Sequence, residues 1–365
     1  TIGSCIQIIK SVYEKYGIDG EIIVSDNSKD ETPQIAKALG AKVVTPDKLG
    51  YGYAYRYAFR YAHGKYIVMG DADDTYDFME MPKLLKPLMK GEADLVIGSR
   101  FKGRIEKGAM PWLHRWIGNP ILTWFLNLFH KAGVSDAHCG FRAITREALE
   151  KMNLISDGME FASEMLMEAV ENGLRIKEVP ISYYRRKDGK SKLSSFQDGW
   201  RHLKLMLIYT PNHLFIYPGM ALMLLGILWM LAAQFGIFIG YIPGIHSMIA
   251  GSLLAIVGYQ ALFFGIFAKI HLGKQIPRFL SLEKGVIAGI SLLLFGLSCA
   301  LYSLSRWIIS GFMELPSIEL DIIAFTTAVL GIQTFFSSFM LSGIIEYRKK
   351  NSSRNTCLLY TSDAA

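Results

Sequence analysis

Four long apolar stretches fill the second half of the chain, at about 214 to 240, 246 to 268, 285 to 309 and 320 to 345. Each is long enough to cross a hydrocarbon core of about 30 Å, a solvent in which a lone segment satisfies its backbone only as a helix. The first half must answer to a different solvent. Residues 1 to about 205 carry most of the charge and alternate short apolar runs with amphipathic ones, the pattern of a soluble α/β domain. Loop charges orient the spans. Lys269, Lys274, Arg278 and Lys284 lie between the second and third, and Arg348, Lys349 and Lys350 follow the fourth. The first loop, 241 to 245, is uncharged, and the third holds Glu314 and Glu319. That bias predicts an integral membrane protein with the basic loop, the C-terminus and the soluble domain on the cytoplasmic side.

Periodicity divides the first half further. A helix over 1 to 16 places Ile2, Ile6, Ile9, Val12 and Tyr13 on one face, and strands are expected at 20 to 25, 41 to 45, 65 to 70 and 94 to 98. Helices at 31 to 39, 52 to 63 and 80 to 90 separate them. Strands alternating with helices predict a mainly parallel, Rossmann-like sheet covered on both faces, with ligands beyond the strands' C-terminal ends. Two segments are apolar on one side only. In 111 to 131, Leu113, Ile117, Ile121, Trp124, Phe125 and Leu128 line one face, and Arg115, Asn119, Thr123, Asn127 and His130 the other. In 196 to 209, Phe196, Trp200, Leu203 and Leu207 oppose Arg201, His202 and Lys204. Both read as helices lying in the membrane interface, against the plainer reading of core-facing helices.

The expected organisation is an α/β domain over 1–195, an interfacial helix over 196–213, four transmembrane helices over 214–346 and a disordered or non-native tail over 347–365. The chain opens as though already inside a domain, so a preceding natural segment is expected. Cysteines at 5, 139, 299 and 357 show no paired spacing, which argues against a disulfide framework and against a zinc site. The net charge of +7 gathers near the junction of the two halves, where anionic lipid is a better partner than nucleic acid.

Chemistry concentrates in GDADDTYDF, residues 70 to 78, where Asp71, Asp73 and Asp74 follow directly on the apolar run Tyr66 to Met69. Carboxylates at i and i+2 beyond a buried strand lie close enough to share a hard divalent cation, with phosphate oxygens completing its shell. The competing reading is a solvated turn. The preceding strand also ends on acid, in Val24-Ser25-Asp26-Asn27-Ser28-Lys29-Asp30. A carboxylate there can accept from a base NH or a ribose hydroxyl, or simply belong to a turn leading into a helix cap.

The ordered segments EIIVSDNSKDET (21 to 32), LGYGYAYRYAFRYAHGKYIVMGDADDTY (49 to 76), DLVIGSRF (94 to 101), DAHCGFRA (136 to 143), GMEFASEM (158 to 165) and EVPISYYRRKDGKSKL (178 to 193) resemble the family 2 glycosyltransferases of the dolichol-phosphate mannosyltransferase type. Members with appended membrane spans, the polyprenyl-phosphate glycosyltransferases, resemble the whole chain. The resemblance implies a GT-A fold, a nucleotide-sugar donor such as GDP-mannose or a UDP-sugar, Mg²⁺ or Mn²⁺, and transfer to the phosphate of a polyprenyl or dolichyl carrier. It implies that Val24, Asp26, Asp71, Ala72, Asp73 and Arg100 hold the nucleotide sugar, with Asp71 and Asp73 on the metal. Arg115, Arg186 and Lys192 would meet the acceptor phosphate, and Asp73, Arg100 and Arg186 would carry the reaction. Asp136 and Cys139 to Arg142 would shape the acceptor site. Relatives often place Gln two residues after the second metal Asp, where this chain has Thr75, and the family's first strand has no counterpart here.

The implied chemistry needs cations more than a base. A lipid phosphate is already ionised near neutral pH, so the protein must align it and screen repulsion between two anions, for which arginine's fork is suited. A single in-line displacement inverts the anomeric centre. Arg185, Lys187 and Lys190 read as solvated or lipid-facing charges; Glu164 orients a sugar hydroxyl or merely favours a helix's first turn. Cys139 has no partner base and is not expected to be a nucleophile. Two other classes compete. A processive polysaccharide synthase usually carries Gln-x-x-Arg-Trp, but Arg115-Trp116 is preceded by Trp112. A transporter with a regulatory nucleotide-binding domain should bury charges along a pathway, and the spans hold almost none mid-membrane. Sugar identity, carrier length and oligomeric state stay open, a homo-oligomer included.

Overall fold

The computed structural model describes residues 1–186, 195–273, 281–313 and 317–362, and the chain divides into two compact units, Thr1–Leu207 and Ile208–Ala365. In the first unit, helix α1 (Ile2–Tyr16) buries Ile2, Cys5, Ile6 and Val12 and ends on Gly17, whose N–H caps the Tyr13 carbonyl. Strand β1 (Ile23–Ser25), helix α2 (Thr32–Ala38) and strand β2 (Lys42–Val44) follow. β1 and β2 pair in parallel as a separate two-stranded sheet, with Val24 and Val43 packed against Ile2, Ile6 and Ala36. After helix α3 (Tyr51–Phe59) come strand β3 (Tyr66–Met69), helix α4 (Met81–Met89) and strand β4 (Leu95–Ile105).

A second, four-stranded sheet runs in the order β3-β5-β4-β6, where β5 is Arg142–Thr145 and β6 is Ile176–Tyr183. The sheet is more mixed than the periodicity predicts, because β5 lies antiparallel to both β3 and β4, whereas β4 and β6 are parallel. Its core is dry: Leu95, Val96, Ile97, Phe141 and Ile144 are fully buried, together with Phe161, Met165 and Leu166 of α7 (Phe161–Glu171). Each such side chain contributes roughly 1.5–3 kcal/mol by leaving water. Helix α6 (Arg146–Lys151) follows β5 and is capped by the Thr145 hydroxyl.

Helix α5 (Asn119–His130), entered through a π-helical turn over His114–Gly118, is folded inside out, and helix α8 (Ser195–Ile208) also exposes aromatic side chains. On and before α5, Trp112, Trp116 and Trp124 are 65%, 69% and 57% exposed, while Thr123 and His130 are buried. Phe196 on α8 is 87% exposed and Trp200 is also exposed, but His202 and Met206 are buried. On α5 the polar face therefore packs on the domain and the apolar face looks outward; on α8, Phe196 and Trp200 look outward while His202 and Met206 pack inward and Arg201 and Lys204 stay exposed. His202 Nδ1 lies 2.7 Å from Ser163 Oγ of α7, and its ring meets that of His138 edge-on at 4.5 Å.

The second unit contains α9 (Tyr217–Gln234), α10 (Ile245–His271), α11 (Leu282–Ile309) and α12 (Ile318–Ser362). Four segments, Asn212–Gln234, Ile245–His271, Leu282–Ile309 and Ile318–Tyr347, are long and apolar enough to cross a membrane. α9 packs on α10 through Gly226 and Gly251, and α11 on α12 through Gly289 and Gly331, the close small-residue contacts favoured where no water drives association. Hydrogen bonds tie α10 to α12: Ser252 to Thr326 and Gln333 to Gln260, both at 2.7 Å, and Tyr259 with Thr334. The last helix continues to Ser362, through residues for which the sequence predicts no element.

Burial, with the nearby Arg142 charge adding to it, lowers the His202 pKa from 6.5 to about 4. The unfolded chain then binds more protons between those values, so the folded state loses stability as pH falls from 6.5 towards 4, by on the order of 3 kcal/mol in full. The melting temperature should fall over that range, and less steeply in His202→Asn, when followed by circular dichroism in detergent.

Candidate active site

The acidic turn begins where β3 ends. Met69 is still paired with Arg142, and the next residues, Gly70 to Thr75, leave the sheet. Asp73 Oδ1 accepts the Thr75 hydroxyl at 2.5 Å and the Thr75 N–H at 3.1 Å, while Oδ2 accepts from the Arg186 guanidinium. Asp74 adopts a left-handed conformation, φ 60°, which Asp tolerates better than most residues. Ser4 Oγ and Cys5 Sγ of α1 donate to its carboxylate at 2.7 and 3.3 Å. Ala72 is exposed between the two candidate metal ligands.

Asp71 is held differently. Its Oδ1 accepts the Tyr55 hydroxyl at 3.1 Å, and Tyr51 Oη and Asp71 Oδ2 both lie within 3.0 Å of where a Cβ on Gly140 would stand. A side chain there would collide with this cluster, so glycine is required by close approach. Burial and then the Asp73 charge push the Asp71 carboxyl up to about 6, against the opposing pull of the Tyr55 and Tyr51 hydroxyls and the Arg100 charge. Burial also keeps both tyrosines well above their ordinary range, so they remain protonated donors.

Arg100, on β4, is almost fully buried and gives a two-pronged ion pair to Asp136, Nε to Oδ2 at 2.7 Å and Nη2 to Oδ1 at 2.8 Å. Its guanidinium also lies 5.2 Å over the ring of Tyr183. The sequence left Asp136 with a general shaping role, whereas here it fixes the direction of the Arg100 fork. Glu178 in turn accepts the N–H groups of Ser135 and Asp136 at 2.7 and 3.0 Å. Arg142 is a scaffold: wholly buried, it donates to the carbonyls of Cys139, Ala162 and Ala137, each at 2.7 Å. Glu164 is fully buried and accepts the N–H groups of Ile155 and Ser156 at 2.9 Å, anchoring the loop before α7. Burial pushes the Cys139 thiol up to about 12, so it stays protonated.

Beside Arg100 opens a cavity of about 270 Å³, lined also by Phe101, Ile105, Arg115, Trp116 and Pro120. Two arginines in an otherwise apolar lining suit an anion attached to a hydrocarbon. Arg115 is stacked 5.2 Å over Trp116. The structure thus brings Asp71, Asp73, Arg100 and Arg186 into one charged neighbourhood around Tyr183, with Arg115 joined to it through the cavity. Val24 and Asp26 stand at the end of β1 in the other sheet. The Val24 side chain packs into the small core, and the Asp26 carboxylate accepts the Ser28 N–H and hydroxyl at 3.2 and 2.7 Å, closing a turn. Lys192 lies outside the described residues. Among the described residues no group of three or more His, Cys, Asp or Glu side chains is placed to hold a metal, so the Asp71/Asp73 pair would need ligand oxygens to complete a shell.

Lysine cannot span the three carbonyls that Arg142 satisfies. Arg142→Lys should therefore destabilise the first unit by about 3 kcal/mol, read as a lower midpoint in urea and a lower melting temperature.

Residues 4–152 match the family model Glycosyl transferase family 2, and residues 268–345 match Glycosyltransferase family 2 C-terminal transmembrane region. The chain is 46% identical over 356 residues to the low-salt glycan biosynthesis hexosyltransferase Agl6 of Haloferax volcanii, covering 94% of this chain and 86% of that one. It is 35% identical over 181 residues to the dolichyl-phosphate hexose transferase of the same organism, covering 49% and 76%. Among solved structures, glucosyl-3-phosphoglycerate synthase from Mycobacterium tuberculosis, crystallised with Mn²⁺, uridine diphosphate and glucosyl-3-phosphoglycerate, aligns with a TM-score of 0.46 at 24% identity, over 57% of this chain and 74% of that one. This chain, an α/β unit with a carboxylate pair beyond one of its strands followed by apolar helices, and matched along nearly its whole length by such a relative, belongs to glycosyltransferase family 2.

Proposed function

We propose that this enzyme moves a hexosyl group from a nucleotide sugar, GDP-mannose or a UDP-sugar, onto the phosphate of a polyprenyl or dolichyl carrier at the cytoplasmic membrane face. The observation that carries the reading is the cavity beside Arg100, where two arginines meet an apolar and aromatic wall. Such a lining recognises a phosphate and the first part of its hydrocarbon together. The relationship to a dolichyl-phosphate hexose transferase supports the same acceptor.

Membrane attachment follows from the packing. The outward apolar face of α5, with exposed tryptophans on and just before it, and the exposed Phe196 and Trp200 of α8 are the kind of surface an interfacial helix presents to lipid. Lys269 and Lys284 flank the loop between the second and third spans and favour its cytoplasmic placement; Lys274 and Arg278 lie outside the described residues.

Within the site, Arg100 and Arg115 hold the acceptor phosphate and screen its charge from that of the donor. Asp136 keeps the Arg100 fork aimed, so that little reorganisation accompanies binding. Arg186, now paired with Asp73, stands where it can reach donor or acceptor phosphate, with Lys192 beside it in sequence. The ionised acceptor attacks the anomeric carbon directly, and no described residue need remove a proton from it. Mg²⁺ or Mn²⁺ fits the Asp71/Asp73 pair by the chemistry of the donors, two hard carboxylates two residues apart beyond β3 whose charges act on one another. When bound, such an ion supplies neutralisation of the departing nucleoside diphosphate.

With Mn²⁺ and radiolabelled GDP-mannose, UDP-glucose or UDP-N-acetylhexosamine, the full chain in polyprenyl-phosphate vesicles should label an organic-extractable, acid-labile product. Absence of such a product with every donor removes the reading. Asp73→Ala should lower transfer by roughly 10³-fold or more while membrane insertion and melting temperature hold; retained turnover would show that Asp73 plays no part in the chemistry.

A further inference from the structure

We infer that Tyr51 and Tyr55 are positioning residues for Asp71: two neutral phenols that hold this carboxylate in place for a divalent cation without spending its charge. The inference rests on the metal role proposed above for Asp71 and Asp73, and it concerns how the two carboxylates differ. Asp73 is met by a full positive charge, the Arg186 guanidinium, and by the Thr75 hydroxyl. Asp71 accepts from Tyr55 at 3.1 Å and lies beside the Tyr51 hydroxyl at the Gly140 backbone. Phenols are protonated at neutral pH and donate a hydrogen bond without adding positive charge. Asp71 thus keeps its anionic charge for a cation, in a fixed orientation.

The sequence builds this support deliberately close. Tyr51 and Tyr55 are four residues apart, so they stand on one face of α3, and their rings meet edge-on at 5.1 Å. Phe161 of α7 stacks on Tyr55, ring centroids 5.8 Å apart and nearly parallel. Between them, Gly52 brings the start of α3 against the loop before α7: a Cβ there would come within 2.4 Å of the Ser156 carbonyl oxygen and 2.7 Å of the Phe161 Cβ. Backbone N–H groups of Gly52 and Tyr53 donate across the same gap to the carbonyls of Gly158 and Asp157. Glu164 fixes that loop from the other side. The helix cannot slide, and both hydroxyls are delivered to the carboxylate. Groups that orient a metal ligand from behind commonly set metal affinity by 10–100-fold.

The experiment separates this role from packing and from the metal reading itself. Mn²⁺ is titrated into the full-length protein in detergent, with and without GDP or UDP, and free Mn²⁺ is read by electron paramagnetic resonance. Tyr55→Phe and Tyr51→Phe keep the rings and lose only the hydroxyls. Each should weaken Mn²⁺ binding by about 10-fold, and the pair together by up to about 100-fold, at a melting temperature close to that of the unaltered protein. Tyr55→Leu, which also removes the stack on Phe161, serves as the packing control. If Tyr55→Phe binds like the unaltered protein and only Tyr55→Leu is impaired, the tyrosines merely pack and the inference is overturned. If the unaltered protein binds no Mn²⁺ under any of these conditions, the metal reading fails, and the positioning role fails with it.

Discussion

Like charges gathered at the rim of a sheet are the constraint around which the first unit is arranged. Asp71 and Asp73 leave β3 two residues apart, and Asp71 is burdened both by burial and by its neighbour's charge. Left alone, such a turn would relax into solvent. Instead the fold meets every carboxylate separately: phenols for Asp71, a guanidinium and a hydroxyl for Asp73, a hydroxyl and a thiol from α1 for Asp74. The turn is therefore held from three sides, and its charge is retained at the rim of the sheet, where the proposed function places a cation and a diphosphate. A charged site of this kind costs stability locally, and the dry core of β4, β5 and α7 offsets it.

Two of the buried arginines show how one residue type takes opposite jobs. Arg142 turns each of its three guanidinium nitrogens onto a backbone carbonyl, which fixes the loop carrying Asp136 and Cys139. Arg100 is paired with Asp136 and lines a cavity. The first is consumed by architecture; the second is aimed by it. Both carry the same charge in the sequence, and only the partners available in space distinguish them.

The elements legible in the sequence are those whose cause is local. The four spans follow from length and apolarity, and the acidic turn from a run of carboxylates after a buried strand. Elements set by tertiary context were not legible. β5 is only four residues and opens on a charged Arg142, which reads as loop. β6 contains Lys177, Glu178 and Pro180, and Pro180 is tolerated because β6 is the edge of its sheet. Missing β5, which lies antiparallel to both its neighbours, is what made the sheet look more parallel than it is. The Arg100 to Asp136 pair spans 36 residues and leaves no local pattern. Tyr51 and Tyr55 were readable as helix, but nothing in their spacing says that the carboxylate lies in front of them.

Amphipathic periodicity also marked the segments around α5 and α8, though it could not say which face turns inward. The structure resolves this with hydrogen bonds. From the polar face of α5, Asn127 bonds both the N–H and the carbonyl of Val134, and the Thr123 hydroxyl accepts the Ala137 N–H. Those residues bracket Asp136, which aims Arg100. One helix therefore turns its apolar side outward, as a lipid surface requires, while its polar side secures the loop that orients a cation in the site. On the proposed function, lipid attachment and phosphate recognition would use the two faces of a single element, separated by the width of a helix, about 10 Å.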